Sequence, residues 1–169
     1  MTVKRTVSPS SRSRIDHPIN TNMGQWLYQG EVYEPDADVV SKDFPYQGFV
    51  YIIENLANGR SYIGKKGFTF GKTRQVNKKK KRFRAESDWR EYYGSSESLL
   101  SDVEHYGRDK FRRTILHLCR SKGEASYLEA YEQLSRNVLL RDDYYNTWIS
   151  CRVRNSHLKL LREDYSCEE

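Results

Sequence analysis

The segment Gly48–Gly64 constrains the fold most strongly, because it consists of two short apolar strands around an Asn-Gly pair. Alternating β-type residues on either side of Asn-Gly are the strongest short-range signal for a β-hairpin. A turn formed by Asn58 and Gly59 alone places Tyr51 opposite Lys66. Because side chains alternate along a strand, one face is expected to carry Tyr51, Ile53, Tyr62, Gly64 and Lys66. Phenols, a bare glycine and an ammonium on one face indicate a ligand site, although paired tyrosines are also typical of cross-strand packing.

Downstream patterns predict helices and one further strand. Ser95 or Ser96 is a candidate N-cap for a helix that Gly107 ends. Residues 111–119 alternate as a third strand, and the longest helix is predicted from just after residues 121–123 to about Leu140. A short helix from about Trp148 is expected to close the domain. This order predicts an α+β fold (an α/β layer) in which helices flank a small three-stranded antiparallel sheet.

The chain is predicted to form one domain, since it has 169 residues. Residues 1–24 lack periodicity and are predicted to be a basic disordered arm. Residues 25–45 read as a lead-in, 46–150 as the main domain with a loop-like basic insertion at 67–86, and 151–169 as a C-terminal extension. No apolar run approaches the roughly 18 residues that span a bilayer. The N-terminus has no signal-peptide pattern, so no membrane partner is expected.

The cysteines Cys119, Cys151 and Cys167 are odd in number and widely spaced. They fit neither a zinc site nor a disulfide framework, and a reducing cytosolic compartment is predicted, the host cytosol if the gene is viral. Nucleotide-binding loops and hydrolase motifs are missing from the sequence. A small-molecule cofactor is therefore not expected.

Positive charge is concentrated just after the hairpin. Residues 60–91 hold 12 Lys or Arg and 3 acidic residues, whereas the rest of the chain holds 17 basic and 20 acidic residues. The centre of this region is the run of Lys78, Lys79, Lys80, Lys81 and Arg82. Clustered cations bind polyanions by neutralising phosphates and releasing counterions. A solvated loop and a nuclear import signal are the alternatives.

Glu129 is the candidate metal ligand, since one carboxylate with waters and substrate oxygens is typical of Mg²⁺ at a phosphodiester. A solvated helix residue is the alternative for Glu129. Glu132 is explained better by Arg136, which lies four residues further along the predicted helix. A tyrosine is a weak base at pH 7 because its pKa is about 10, and Lys66 is a neighbour that could assist Tyr51.

Several motifs occur together in a familiar order. Val50-Tyr51 is followed, 11 residues after Tyr51, by Tyr62-Ile63-Gly64. The later pieces are Gly94-Ser95-Ser96, Tyr106-Gly107, the strand from Phe111, Glu124-Ala125 ahead of Glu129, and Tyr145-Asn146. This ordered set resembles the GIY-YIG nuclease family and is similar to small phage-encoded homing endonucleases of the Seg type. The first element differs, because Phe49-Val50 replaces the Gly-Ile of the family name.

The resemblance implies metal-dependent hydrolysis of DNA phosphodiesters. It implies that Tyr51 helps to activate water as a general base, that Tyr62 positions water or phosphate, and that Glu129 holds one Mg²⁺ or Mn²⁺ ion. The family's arginine is not at its usual place, where Lys72 stands here, so the candidates are Arg82, Arg84 and Arg90, with Lys66 as a possible partner. Gly64 and Asn146 complete the predicted catalytic set. The predicted nucleic-acid contacts are Lys65, Lys78, Lys79, Lys80, Lys81, Ser95 and Ser96.

Two alternatives to a nuclease stay open from the sequence. A non-catalytic DNA-binding module that retains the fold would bind without cleaving. An RNA-binding or RNA-processing protein would use the same lysine run. The oligomeric state and the target are not predicted.

Overall fold

The computed structural model describes residues 24–166. The predicted basic arm therefore lies outside the described residues, apart from its last position. The strands are β1 Trp26–Tyr28, β2 Glu31–Val32, β3 Gly48–Asn55, β4 Ser61–Gly67, β5 Thr69–Val76, β6 Lys79–Glu86 and β7 Phe111–Cys119. The helices are α1 Glu97–Tyr106, α2 Lys122–Ser135 and α3 Lys159–Ser166. Short 3₁₀ turns are formed by Trp89–Glu91, Arg108–Lys110, Val138–Leu140 and Asn155–Leu158. No helix in this part of the chain combines the length and apolarity that a membrane crossing requires.

The main sheet has five strands in the order β2-β1-β7-β3-β4. The α+β class is confirmed, but the prediction of a small three-stranded antiparallel sheet is wrong. The lead-in adds two strands, and β1 runs parallel to β7 whereas the other pairs are antiparallel. Trp26 anchors β1, because its buried indole donates a hydrogen bond to the carbonyl of Trp89 at 2.7 Å.

The β3-β4 hairpin has a register different from the predicted one. Tyr51 lies opposite Gly64, and Lys66 lies opposite Phe49, so the predicted pairing of Tyr51 with Lys66 is wrong. The loop is longer than two residues because the amide of Asn55 pairs with the carbonyl of Arg60 at 2.8 Å. The resulting slip equals two positions, and a two-residue shift leaves every side chain on its predicted face.

Hydrophobic cores cover both faces of the sheet. On one face, Phe49, Tyr51, Phe68 and Trp89 pack together, and Leu99 brings α1 against them. The opposite face buries Val50, Ile63, Cys119, Ala125 and Val138, with α2 supplying the cover. Burial on both sides places β3 at the centre of the molecule and leaves β4 at an edge of the sheet.

The basic insertion is a hairpin rather than the predicted loop. Strands β5 and β6 pair only with each other as a two-stranded antiparallel sheet. Asn77 and Lys78 connect them with φ angles of 49° and 62°. Positive φ at both central residues is the signature of the two-residue turn that suits a twisted hairpin.

Local start and stop signals predicted several elements correctly. Helix α1 follows Ser96 and ends at Gly107, whose φ is 87°, and β7 occupies the predicted residues. Helix α2 ends earlier than predicted because Asn137 adopts a left-handed conformation with φ 53°. The helix predicted from about Trp148 is wrong, since the next helical residues after the Val138–Leu140 turn begin at Asn155.

Candidate active site

A cavity of about 620 Å³ lies beside the outer edge of β4. Four parts of the chain form its wall: the hairpin, the start of α1, α2 and the segment after Tyr144. Its lining residues are Tyr51, Tyr62, Lys65, Ser95, Ser96, Glu97, Ser98, Glu129, Gln133, Tyr145, Asn146, Thr147, Trp148 and Ser150. Seven of the residues predicted from the sequence for catalysis, metal binding or nucleic-acid contact are among them. These are Tyr51, Tyr62, Lys65, Ser95, Ser96, Glu129 and Asn146.

The two phenols are held side by side by the absence of a side chain at Gly64. The ring centroids of Tyr51 and Tyr62 are 6.2 Å apart. A Cβ atom added at Gly64 would lie 2.5 Å from the hydroxyl of Tyr51 and 2.9 Å from the ring of Tyr62. Tyr62 shares a hydrogen bond with the Ser95 hydroxyl at 3.2 Å. Gly64 therefore supports the site by leaving room for both rings.

Burial raises the pKa of the Tyr51 phenol well above its ordinary value of 10.0, and the neighbouring Tyr92, Tyr62 and Glu129 raise it further. The pKa of Tyr62 is also raised by burial, and its hydrogen bond with Ser95 only partly opposes this. A raised phenol pKa means that the neutral, protonated form persists at pH 7. Both tyrosines are therefore hydrogen-bond donors in the free protein.

Glu129 projects from the middle of α2 into the cavity and forms an ion pair with Lys65. The Glu129 side chain is 14% exposed and that of Lys65 is 39% exposed. Lys65 is the one basic residue among those that line the cavity. The pair joins β4 to α2 and places a carboxylate and an ammonium next to the phenols.

Asn146 clamps the edge of β4. Its side-chain oxygen accepts a hydrogen bond from the amide of Ile63 at 3.0 Å, and its Nδ2 donates to the Ile63 carbonyl at 2.8 Å. Gln133 donates to the same carbonyl at 3.0 Å. The amide of Asn146 is therefore committed to the backbone of β4, and a direct catalytic role for it stays a prediction.

A polar network beneath the cavity was missed by sequence reasoning. The hydroxyl of Tyr145 donates to Asp102 at 2.6 Å and accepts from Asn55 at 2.9 Å. The guanidinium of Arg60 lies 4.0 Å above the Tyr145 ring. This network ties α1, the hairpin loop and the C-terminal wall together. The Tyr145-Asn146 pair was noted in the sequence, but nothing local indicates that Asp102 is its partner.

Lys66 does not enter the cavity. Its ammonium pairs with Asp88 at 2.6 Å and lies 3.6 Å from the centre of the Tyr92 ring. The Lys66 side chain lies on the same face of the hairpin as Tyr51, as predicted, but it stands opposite Phe49 rather than Tyr51. Asp88 and Tyr92 therefore satisfy it outside the predicted catalytic group.

The three arginines proposed for catalysis also lie outside the cavity lining. Arg82 is exposed on β6, and Arg84 on the same strand donates to Thr69 at 3.2 Å. Arg90 pairs with Glu34 and Glu86. The basic segment folds into its own hairpin, which carries Arg82 and Arg84, whereas Arg90 lies in the Trp89–Glu91 turn that follows it. Lys78, Lys79, Lys80 and Lys81 occupy the turn and the adjoining part of that hairpin.

The carboxylate of Glu129 fits a magnesium-type ion better than zinc. Residues 24–166 contain no cluster of three His, Cys, Asp or Glu side chains that could form a metal cage. Mg²⁺ keeps several waters and is commonly held by one or two carboxylates together with substrate phosphates. A single carboxylate in an open, polar cavity suits that mode of binding.

Comparisons with known proteins agree with this geometry. The model of the family described as "Putative endonuclease segE, GIY-YIG domain" matches residues 26–149. A similar protein is "Putative endonuclease segE" of Enterobacteria phage T4, which is 31% identical over 98 residues. That match covers 58% of this chain and only 39% of the T4 protein. No solved structure matches the chain.

Proposed function

The chain belongs to the SegE GIY-YIG family, and on that basis we propose that it is a DNA endonuclease that hydrolyses phosphodiester bonds with a bound Mg²⁺ or Mn²⁺ ion. The observation that carries the proposal is the cavity itself. Two phenols from β3 and β4, a carboxylate from α2 and a lysine from β4 face one space of about 620 Å³. The T4 relative, a putative endonuclease of a phage, supports the further proposal that the protein is phage-encoded. From the resemblance to Seg-type homing endonucleases we also propose that it is of the homing type and acts in the host cytosol.

Glu129 would hold the ion, with waters and phosphate oxygens completing its coordination. The ion supplies Lewis acidity at the phosphorus centre and lowers the pKa of a bound water. Glu129 is already paired with Lys65, so a bound ion would compete with the Lys65 ammonium for that carboxylate. The Lys65 ammonium would be the cation in this cavity that stabilises negative charge on the scissile phosphate.

Tyr51 would serve first as a hydrogen-bond donor. Its raised pKa keeps the proton on the phenol at neutral pH in the free protein. It becomes a general base only when positive charge nearby lowers that pKa. Tyr62, which shares a hydrogen bond with Ser95, would orient water or phosphate beside it. The buried ring of Tyr51 and the Asn146 clamp hold these groups in place before the substrate arrives.

Nicking of supercoiled plasmid tests the proposal. Wild-type protein is expected to nick in Mg²⁺ and to stop when the metal is chelated. Glu129→Gln and Tyr51→Phe should each lower the rate by about 100-fold or more, the usual contribution of a catalytic group in proton transfer. Matched controls are Glu104→Gln, an exposed helical glutamate, and Tyr33→Phe, a tyrosine outside the cavity lining. Full activity of Glu129→Gln would refute the metal assignment.

A second function is favoured by one observation: among residues 24–166, no arginine lines the cavity. In a DNA-binding protein that does not cleave DNA, the ion pair between Lys65 and Glu129 would be a permanent structural contact. It predicts that the wild-type protein binds DNA but leaves the plasmid intact at every Mg²⁺ and Mn²⁺ concentration. Nicking that depends on Glu129 excludes it.

A further inference from the structure

Within residues 24–166, the β5-β6 hairpin is an arm held only at its base. Residues 70–75 and 77–84 are exposed on both faces of the hairpin. An unsupported two-stranded hairpin is at best marginally stable in water. At the base, Phe68 is fully buried with its ring 5.0 Å from that of Phe49, and Ser87 donates to the carbonyl of Gly67 at 2.6 Å. A fixed base and two uncovered faces indicate a surface that is completed by a partner.

The charge of the arm identifies the chemistry of that partner. Residues 69–86 contain eight Lys or Arg and one acidic residue, Glu86, a net charge of +7. Strands of eight residues extend about 27 Å from the body. A rod of this length and charge is complementary to the phosphates that border a nucleic-acid groove. Lysines on exposed strands can also serve only to prevent sheets from pairing edge to edge. The distribution of side chains over the two faces distinguishes this protective role from nucleic-acid binding.

The two faces of the arm carry different side chains, a difference that is not needed merely to prevent edge-to-edge pairing of sheets. We call one the polar face; it carries Thr69, Gly71, Thr73, Gln75, Lys80, Arg82, Arg84 and, at the base, Glu86. The other, the aromatic face, carries Phe70 and Phe83 together with Lys72, Arg74, Lys79 and Lys81. Lys72 and Arg74 lie 4.9 and 5.4 Å from the ring centres of Phe70 and Phe83. The polar face therefore presents hydrogen-bonding groups, whereas two of the four cations on the aromatic face lie near its own rings.

Gly71 singles out the polar face. It lies opposite Arg84 in the middle of the arm. Its φ is not in the left-handed region, and an added Cβ would meet nothing within 4 Å. Neither backbone conformation nor packing within the described residues requires glycine there, although glycine weakens a strand interior. Such a glycine often marks close approach by a ligand or another backbone.

The turn supplies a second unusual residue. Lys78 has a φ of 62° at the position that two-residue hairpin turns usually give to glycine. The arm therefore keeps a residue with a left-handed backbone at its tip and places an ammonium there. This choice favours contact with an anion over stability of the turn.

Resting on the proposed DNA-cleaving function, we propose that the polar face of the arm enters the major groove of duplex DNA and reads base edges. The B-form major groove is about 12 Å wide and admits a two-stranded β-ribbon. Arg82 and Arg84 carry the forked donors that recognise guanine, and Gln75 carries the amide that recognises adenine. Lys78 and the cations of the aromatic face contact the flanking phosphates. An A-form RNA duplex does not fit, because its major groove is deep and narrow.

Binding measured without cleavage tests the proposal. The probes are a labelled random-sequence duplex pool of about 30 base pairs, close to three turns, and an RNA duplex of equal length. Both are titrated at several salt concentrations with divalent metal chelated. The polar-face triple variant is K80S, R82S and R84S, and the aromatic-face triple is K72S, R74S and K79S. A remote triple, K42S, K122S and K159S, removes the same charge from exposed positions outside the arm.

The aromatic-face triple is expected to weaken binding and to reduce the slope of log affinity against log salt by about 2 to 3, because it removes three cations that contact phosphates. It should keep the enrichment of preferred sequences from the pool, whereas the polar-face triple should abolish that enrichment. The remote triple should leave both unchanged. Gly71→Thr should lower affinity about tenfold or more, as for one lost base contact, without lowering the thermal midpoint.

Several results would overturn the proposal. They are unchanged affinity of Gly71→Thr, no sequence enrichment by the wild type, enrichment that survives in the polar-face triple, and equal or tighter binding of the RNA duplex. Failure of the proposed nuclease function can be distinguished from failure of the DNA-reading arm, because plasmid nicking tests the nuclease function. A protein that binds through the arm but never nicks contradicts the nuclease, and one that nicks equally in all arm variants contradicts the arm.

Discussion

Substitution of Gly64 by alanine tests directly how the site is built. The added Cβ would lie 2.5 Å from the Tyr51 hydroxyl oxygen and 2.8 Å from its Cζ. Tyr51 is 1% exposed and packs against Trp26 with ring centroids 5.2 Å apart. The ring cannot swing away without displacing its buried neighbours, so the clash has to be met by movement of β4 or of both phenols.

Overpacking of this kind costs about 1–3 kcal/mol. For a chain of 169 residues that corresponds to a fall in the thermal midpoint of roughly 2–12 °C, at about 2–4 °C per kcal/mol. Removing the clashing oxygen with Tyr51→Phe relieves part of the cost, because Cζ remains. The double variant should therefore show a coupling free energy of about 0.5–3 kcal/mol. Plasmid nicking by Gly64→Ala should fall by about 100-fold, the usual effect of a 1 Å misplacement.

Urea and thermal unfolding measure the cost, and Gly71→Ala is the matched control because no atom lies within 4 Å of its Cβ position. That control should be as stable as the wild type or slightly more so, since alanine is favoured over glycine in a strand by about 0.5–1 kcal/mol. An unchanged midpoint for Gly64→Ala, or strict additivity with Tyr51→Phe, would show that the phenol does not occupy the space over Gly64.

Two further predictions concern charge. Burial raises the pKa of Glu132, but hydrogen bonds from His117 and Arg136, at 2.6 and 2.9 Å, outweigh it and leave that pKa below its ordinary 4.5. The stabilisation is thus present above about pH 4.5 and is lost as the pH falls through the folded-state pKa; urea unfolding of Glu132→Gln should be less acid-sensitive than wild type. Lys65→Met removes the ammonium that competes for Glu129. The Mn²⁺ affinity measured by calorimetry should therefore rise by up to about fivefold, since a partly exposed ion pair is worth about 0.2–1 kcal/mol. The rate of plasmid nicking should fall. Equal Mn²⁺ binding by Lys65→Met and the wild type would contradict that competition.

Elements set by local chemistry were predictable from sequence. Helix α1 starts after Ser96, a residue type favoured at helix starts although its hydroxyl makes no capping hydrogen bond here, and ends at Gly107 with φ 87°; both signals are visible from neighbouring residues alone. The nine residues of β7 alternate clearly enough to be read. Strand β1, by contrast, has three residues and pairs parallel to β7 from more than 80 positions away. No short-range pattern encodes such a contact.

The candidate site was predictable in its members and less so in its geometry. The ordered set of motifs that resembles the GIY-YIG family brought Tyr51, Tyr62 and Glu129 together, and each lies on an element that the sequence indicated. The position of Lys66 was not predicted correctly, because the register of the hairpin depends on how Asn55 closes its loop. The positions of Arg82 and Arg84 were not predictable for a different reason: the run of cations that reads as a loop pairs with itself as β5 and β6, outside the main sheet.

The Asn146 clamp has a consequence for synthesis of the protein. Ile63 receives its edge hydrogen bonds from a residue 83 positions later, so a nascent chain has β3 and β4 well before it has the wall that covers them. Until residues 143–146 leave the ribosome, β4 presents a bare edge, and the cavity lacks one side. Domains fold as units during synthesis, and here the final strip of chain both closes that edge and completes the pocket. The cavity would in this way be complete only after the chain has been made as far as residue 146.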